Sequence, residues 1–171
     1  GLYLVNNAGV LEPVGPAEST GAAESERHLR INLLAPMRAA AGFIRVLEGF
    51  DGRKVVATVS SGAAQRAYYG WSLYCSGKAG IEMWTRVTGF EQQQRQQPVH
   101  IFSVAPGIVD TEMQASIRQT SEERFLHKDK FVRYHEKGLL ADPRDTGEKL
   151  LRSLDDRRIE NGSNVDLREL G

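Results

Sequence analysis

The sequence predicts an α/β fold in which a doubly wound parallel sheet carries helices on both faces. Three observations predict it. Short, largely apolar runs alternate with longer segments of helical periodicity, the pattern of strand, helix, strand. The runs lack a regular wet face, as strands covered on both sides must. The notable polar clusters, at residues 6–9, 60–62 and 106–111, each follow such a run directly. Open parallel sheets bind ligands there, beyond the carboxyl ends of the strands.

The elements follow in order. Residues 2–5 (LYLV) form the first expected strand, ended by Asn6, Asn7 and Gly9. Residues 11–21 carry Pro13, Gly15, Pro16 and Gly21 and read as a loop. Over 24–50, Leu29, Leu33, Met37, Ala40, Ala41, Ile44 and Leu47 recur at three- and four-residue steps, which predicts an amphipathic helix. Pro36 predicts a kink in it. Asp51 and Gly52 make a turn, residues 54–59 (KVVATV) a second strand, and 60–71 a loop of small residues. A long helix is expected over 72–95, with Leu73, Ile81, Trp84 and Thr88 on related faces. The tract EQQQRQQ at 91–97 reads as its solvated end rather than as a self-associating segment. Residues 99–105 (VHIFSVA) form the third strand, closed by Pro106 and Gly107. Residues 112–137 are polar and predict helix in pieces. Asp142 caps an expected helix over 143–154 that begins at Pro143, and 164–167 make a last short strand. No internal repeat or linker divides the chain, so a single domain is expected over 1–171.

Composition narrows the class of function. The 171 residues carry 22 Lys and Arg against 22 Asp and Glu, so no net field draws the chain to nucleic acid or an anionic membrane. No run of about 18 apolar residues occurs. Cys75 is the single cysteine, which excludes an internal disulfide and any cysteine-rich zinc site and fits a reducing, cytoplasmic setting. His28, His100, His127 and His135 show no metal-ligand spacing, and no metal is expected.

Tyr74 and Lys78 stand four apart at a helix start and share one face. An ammonium beside a phenol favours the phenolate and lowers its pKa, so the pair can protonate a developing alkoxide. Alone, that spacing is common on helix surfaces. Here Ser61 lies 13 residues earlier at a strand end, the segment NNAG at 6–9 follows the first strand, PGIVDT at 106–111 follows the third, and Asn32 lies mid-helix, a poor place for asparagine unless its side chain is used.

Together, NNAG, the mid-helix Asn, the Ser, YxxxK and PGxxxT, in this order and spacing, resemble the short-chain dehydrogenase/reductase family over essentially the whole chain. The resemblance implies a Rossmann-like sheet and a nicotinamide cofactor. It implies that Tyr74 is the general acid, that Lys78 binds the nicotinamide ribose, that Ser61 orients the carbonyl, with Ser60 its nearest rival, and that Asn32 holds a relay water. Asn6, Ala8 and Gly9 would line the cofactor cleft, joined by Tyr74, Lys78, Pro106, Gly107, Val109 and Thr111. The segments GWSLYCSGKAG, APGIVDTEMQ, KGLLADP and NGSNVDL resemble the subgroup that holds the benzil and sepiapterin reductases. That implies NADPH, with NADH not excluded, and a ketone or diketone substrate met by Ser61, Met113 and Asp166. The alternative is a pterin whose guanidine-like edge Asp166 would anchor. A non-catalytic dinucleotide sensor is disfavoured, since both Tyr74 and Lys78 are kept. The family's glycine-rich turn, which cradles the pyrophosphate, is not found. The chain therefore reads as an incomplete, inactive-alone part of such a domain, with residues 2–5 left as an apolar sheet edge. The family also implies a homodimer through the helices holding Asn32 and Tyr74, for which Met37, Ile44, Ile81 and Trp84 are the expected apolar contacts.

Overall fold

The computed structural model describes residues 1–170. Four strands form one sheet: β1 (Leu2–Asn6), β2 (Lys54–Val59), β3 (His100–Ala105) and β4 (Asn164–Asp166). They run in that order and every pairing is parallel. The helices are α1 (Ala22–Leu29), α2 (Ala35–Val46), α3 (Ser72–Gln93), α4 (Glu112–Gln119), α5 (Lys128–Glu136) and α6 (Pro143–Ser153). None is long and apolar enough to cross a membrane.

Strand alternation divides the core between the two faces. Val56 and Ile101 face Ala40 of α2, with Ile44 and Trp84 packed against them. Val55, Ala57, Phe102 and Val104 face the other way, toward Leu154, Ile159 and Leu167. Helices therefore cover both faces, α2 and α3 on one and the end of α6 on the other. Beyond the strand ends a third cluster gathers Leu11, Val14, Trp71, Tyr74, Phe125 and Phe131.

The bend expected at Pro36 takes another form. Residues Arg30–Leu34 make a π-turn between α1 and α2, with the Ala35 N–H reaching the Arg30 carbonyl five residues back. Pro36 sits in the first turn of α2, where a missing N–H costs least. Having no N–H, it also leaves the Asn32 carbonyl without its ordinary i+4 donor, so the wider turn falls on Asn32. The glutamine tract is not wholly solvated. Gln92 is buried, and its side chain accepts the Val99 N–H at 3.0 Å, tying the end of α3 to the start of β3. The expected cap at Asp142 is present, its carboxylate accepting from the Arg144 and Asp145 N–H groups at 2.7 and 3.0 Å.

Candidate active site

The loops after β1, β2 and β3 open on one edge of the sheet and surround a cavity of about 1110 Å³. Its wall includes Gly9, Ser61, Tyr74, Lys78, Thr111 and Asp166, drawn from stretches more than 150 residues apart in the chain. The volume is just above the range of about 300 to 1,000 Å³ usual for small-molecule sites.

Ser61 ends the β2 loop and caps the short turn Gly62–Ala64. Its Oγ accepts the Ala63 N–H at 3.2 Å, which fixes the oxygen beside Tyr74. Ser60, its rival, is buried, and its hydroxyl is committed to Glu82 at 2.6 Å. Burial pushes the Tyr74 phenol above its ordinary range, and the neighbouring Ser61 hydroxyl partly offsets this. The Lys78 ammonium lies 5.7 Å from the Tyr74 ring centroid and donates to the Val59 carbonyl at 2.8 Å. Burial lowers its pKa to about 8, against the attraction of the Glu82 carboxylate.

Asn32, on the π-turn, is buried behind the cavity. Its Nδ2 donates to the Val10 carbonyl at 2.8 Å, and its Oδ1 accepts the Val10 N–H at 3.1 Å. The side chain thus pairs with the loop after β1 as a strand would. His28 supports it: Nδ1 lies 2.8 Å from the Glu12 carbonyl and Nε2 lies 2.9 Å from Asn32 Nδ2. A carbonyl can only accept, so Nδ1 carries the proton and Nε2 accepts.

The cofactor-side residues divide. A Cβ on Gly9 would lie 3.0 Å from Asn32 Oδ1 and 3.6 Å from Lys78 Nζ, so only a bare backbone leaves that corner of the cleft open. Asn7, which the sequence reading left out, joins the wall. Asn6 instead bonds the Pro36 carbonyl and Thr58 Oγ1 at 3.3 and 3.2 Å, and Ala8 is exposed. Pro106, Gly107 and Val109 line the opposite side. Their loop is pinned by hydrogen bonds between Ile108, Asp110 and Ala141 of 2.9 and 3.0 Å. Thr111 caps α4.

Met113 and Asp166 reach the wall, but Asp166 is already engaged. Arg168 Nε donates to both its oxygens, at 2.9 and 3.2 Å, and Nη2 adds a third bond. This guanidinium holds the Asp166 carboxyl below its usual range. Sequence reasoning also missed the aromatic wall of Tyr68, Trp71, Phe131 and Tyr134, because these residues lie on the loop before α3 and on α5 without motif spacing. Trp71 stands edge-on to Tyr74 with centroids 5.5 Å apart. Its other face stacks on Phe125 at 4.5 Å.

Known proteins resemble this chain in sequence and in fold. The model of the short chain dehydrogenase family matches residues 3–122. The benzil reductase ((S)-benzoin forming) of Bacillus subtilis (strain 168) is 41% identical over 169 residues, covering 99% of this chain and 69% of the relative. The sepiapterin reductase of Meriones unguiculatus is 33% identical over 168 residues, 96% of this chain and 62% of the relative. Among solved structures, the KRED1-Pglu enzyme superposes with a TM-score of 0.84 at 28% identity, over 95% of this chain and 67% of its own. A short chain dehydrogenase/reductase from Saccharomyces cerevisiae superposes at 0.79 and 27% identity, over 98% of this chain and 66% of its own. The chain thus spans about two thirds of the length of these proteins.

Proposed function

Since the chain belongs to the short-chain dehydrogenase family, and so to the NAD(P)H-dependent oxidoreductases acting on small molecules, we propose that the full-length protein is an NADPH-dependent reductase of a ketone or diketone. The observation that carries this reading is the convergence of Ser61, Tyr74 and Lys78 on one cavity beyond the strand ends. NADPH rather than NADH rests on the likeness to the benzil reductase subgroup.

The cleft fits a nicotinamide ribose: Gly9 leaves room, and Lys78 uses one of its three N–H groups on Val59. When bound, the nicotinamide supplies the hydride. The chain's own residues do the rest. Ser61 donates a hydrogen bond from its hydroxyl to the substrate carbonyl and holds the oxygen where charge develops. Tyr74, kept in its neutral form by burial, gives the phenolic proton to the developing alkoxide. Lys78 offers its remaining N–H groups to ribose hydroxyls. Asn32 clamps the loop that carries Gly9, and the π-turn on which it sits is the place for a relay water.

Two observations favour a diketone with aromatic substituents over a pterin. The wall beside Tyr74 is aromatic, which suits phenyl groups. The carboxylate that would anchor a pterin's N–H edge is saturated by Arg168. The test is a substrate panel on the full-length protein. Benzil with NADPH should give the highest kcat/KM, ahead of sepiapterin and ahead of NADH, and Asp166→Asn should leave benzil turnover nearly unchanged. Preference for sepiapterin, with a loss of about 10 to 150-fold in Asp166→Asn, would establish the pterin reading instead.

The homodimer is part of this proposal. Of the contacts the sequence suggested, Met37, Ile44 and Trp84 are half-buried, whereas Ile81 is fully buried in the core and is not free to meet a partner. The free apolar face of α3 is Met83, Val87 and Phe90, which are 53%, 48% and 65% exposed.

A further inference from the structure

One buried charge in this region has no part in the chemistry above. Glu82 is only 8% exposed. It lies on α3 four residues beyond Lys78 and eight beyond Tyr74, so all three share a helix face. Oε1 accepts the Ser60 hydroxyl at 2.6 Å, and Oε2 accepts Gln65 Nε2 at 3.4 Å. Ser60 is in turn held to β3 by its N–H, 2.7 Å from the Val104 carbonyl. Lys78 grips the adjacent carbonyl, Val59. Two charged side chains of opposite sign, one helical turn apart, therefore fix consecutive residues at the carboxyl end of β2, immediately before Ser61.

We propose that Glu82 is a positioning residue of this site: it fastens the turn that carries Ser61 to α3 and keeps the Lys78 side chain in its ammonium form. A buried ammonium without a counter-charge sheds its proton. Among the described residues Lys78 makes no ion pair within 4.0 Å, and Glu82 is the carboxylate that acts on it. The other groups around this stretch do not replace it. Tyr74 is neutral and buried. The α1 side brings His28, hydrogen-bonded on both nitrogens, and the π-turn brings Arg30, exposed and 3.8 Å from Glu26. The turn Gly62–Ala64 and the end of β2 bring no titratable side chain. Burial alone would push Lys78 further down, and the cofactor would then meet a neutral amine at neutral pH.

The inference rests on reading Lys78 as the cofactor's ribose partner, but its test does not depend on the substrate. In full-length protein labelled with 13Cε-lysine, the Lys78 signal is assigned by its loss in Lys78→Arg and titrated. The wild-type midpoint should lie at about 8. Glu82→Gln should lower it by about one pH unit or more, which at pH 8 cuts the charged fraction roughly fivefold and weakens NADPH binding by calorimetry to a similar extent. At pH 6 binding should be nearly unchanged. Glu82→Asp, which keeps the charge, should restore the midpoint. An unmoved midpoint in folded Glu82→Gln overturns the proposal. If that variant fails to melt cooperatively, the unmutated protein decides. In it Lys78 should still carry its charge at pH 7, below its midpoint at about 8, and a Lys78 already neutral there overturns the proposal. A shifted midpoint in a protein that reduces no carbonyl would instead sink the functional reading and leave this one standing.

Discussion

Burial acts on Tyr74 and Lys78 in opposite directions, because one is charged when deprotonated and the other when protonated. Tyr74 is raised and stays a proton donor. Tyr74→Phe in the full-length protein should therefore keep its fold and lose about 10² to 10⁴-fold in kcat; near-normal turnover would remove Tyr74 from the mechanism. Lys78 is lowered from 10.5 to about 8. The unfolded chain then binds more protons than the folded one between about pH 8 and 10.5, so this group's contribution to stability rises with pH across that window. Denaturant melts at pH 7.5 and 9.5 should show wild type gaining on Lys78→Met, whereas parallel curves would mean that Lys78 is not depressed. Cofactor affinity should move the other way, falling as the ammonium is lost above about pH 8. That Ser61, Tyr74 and Lys78 would meet at one cavity was legible in the sequence by their spacing. Glu82 and Arg168 were not, because their roles depend on which partner the fold places beside them.

At the scale of elements, the strands and helices were legible because parallel strands buried on both sides must be apolar and α2, α3 and α6 each cover part of a sheet face. The π-turn was not, since Pro36 announces a break without saying whether the helix kinks or widens. Close approach between elements was also hidden. A Cβ on Gly89 of α3 would fall 2.3 Å from the Gly162 Cα, in the turn that leads to β4, where Gly162 has φ +85°. Backbone cannot yield there as a side-chain tip can. Gly89→Ala should destabilise by about 1–3 kcal/mol. The same change at Gly42 in α2, where nothing lies within 4 Å, should stabilise by up to about 1 kcal/mol through helix propensity. Thermal melts of the two variants should shift in opposite directions, and a shared direction would mean that packing around Gly89 relaxes freely.

On the whole molecule two surfaces invite association, and they predict different products. β1 pairs only with β2 among the described residues, and Leu2 and Tyr3 on it are 40% and 42% exposed. In the 171 residues taken alone, such an edge can template further strands, and association there would grow with concentration and not close. Met83, Val87 and Phe90 instead recur at i, i+4 and i+7 on α3, one stripe on a rigid helix. A stripe of that kind can meet its own copy about a twofold axis and be fully satisfied at two subunits. The full-length protein should then show a dimer mass by light scattering at micromolar concentration that does not rise further. Phe90→Glu, which places a charge at the most exposed position of the stripe, should give a monomer with an unchanged melting profile at low concentration. A Phe90→Glu variant that stays dimeric, or a monomeric wild type, would exclude the α3 pairing.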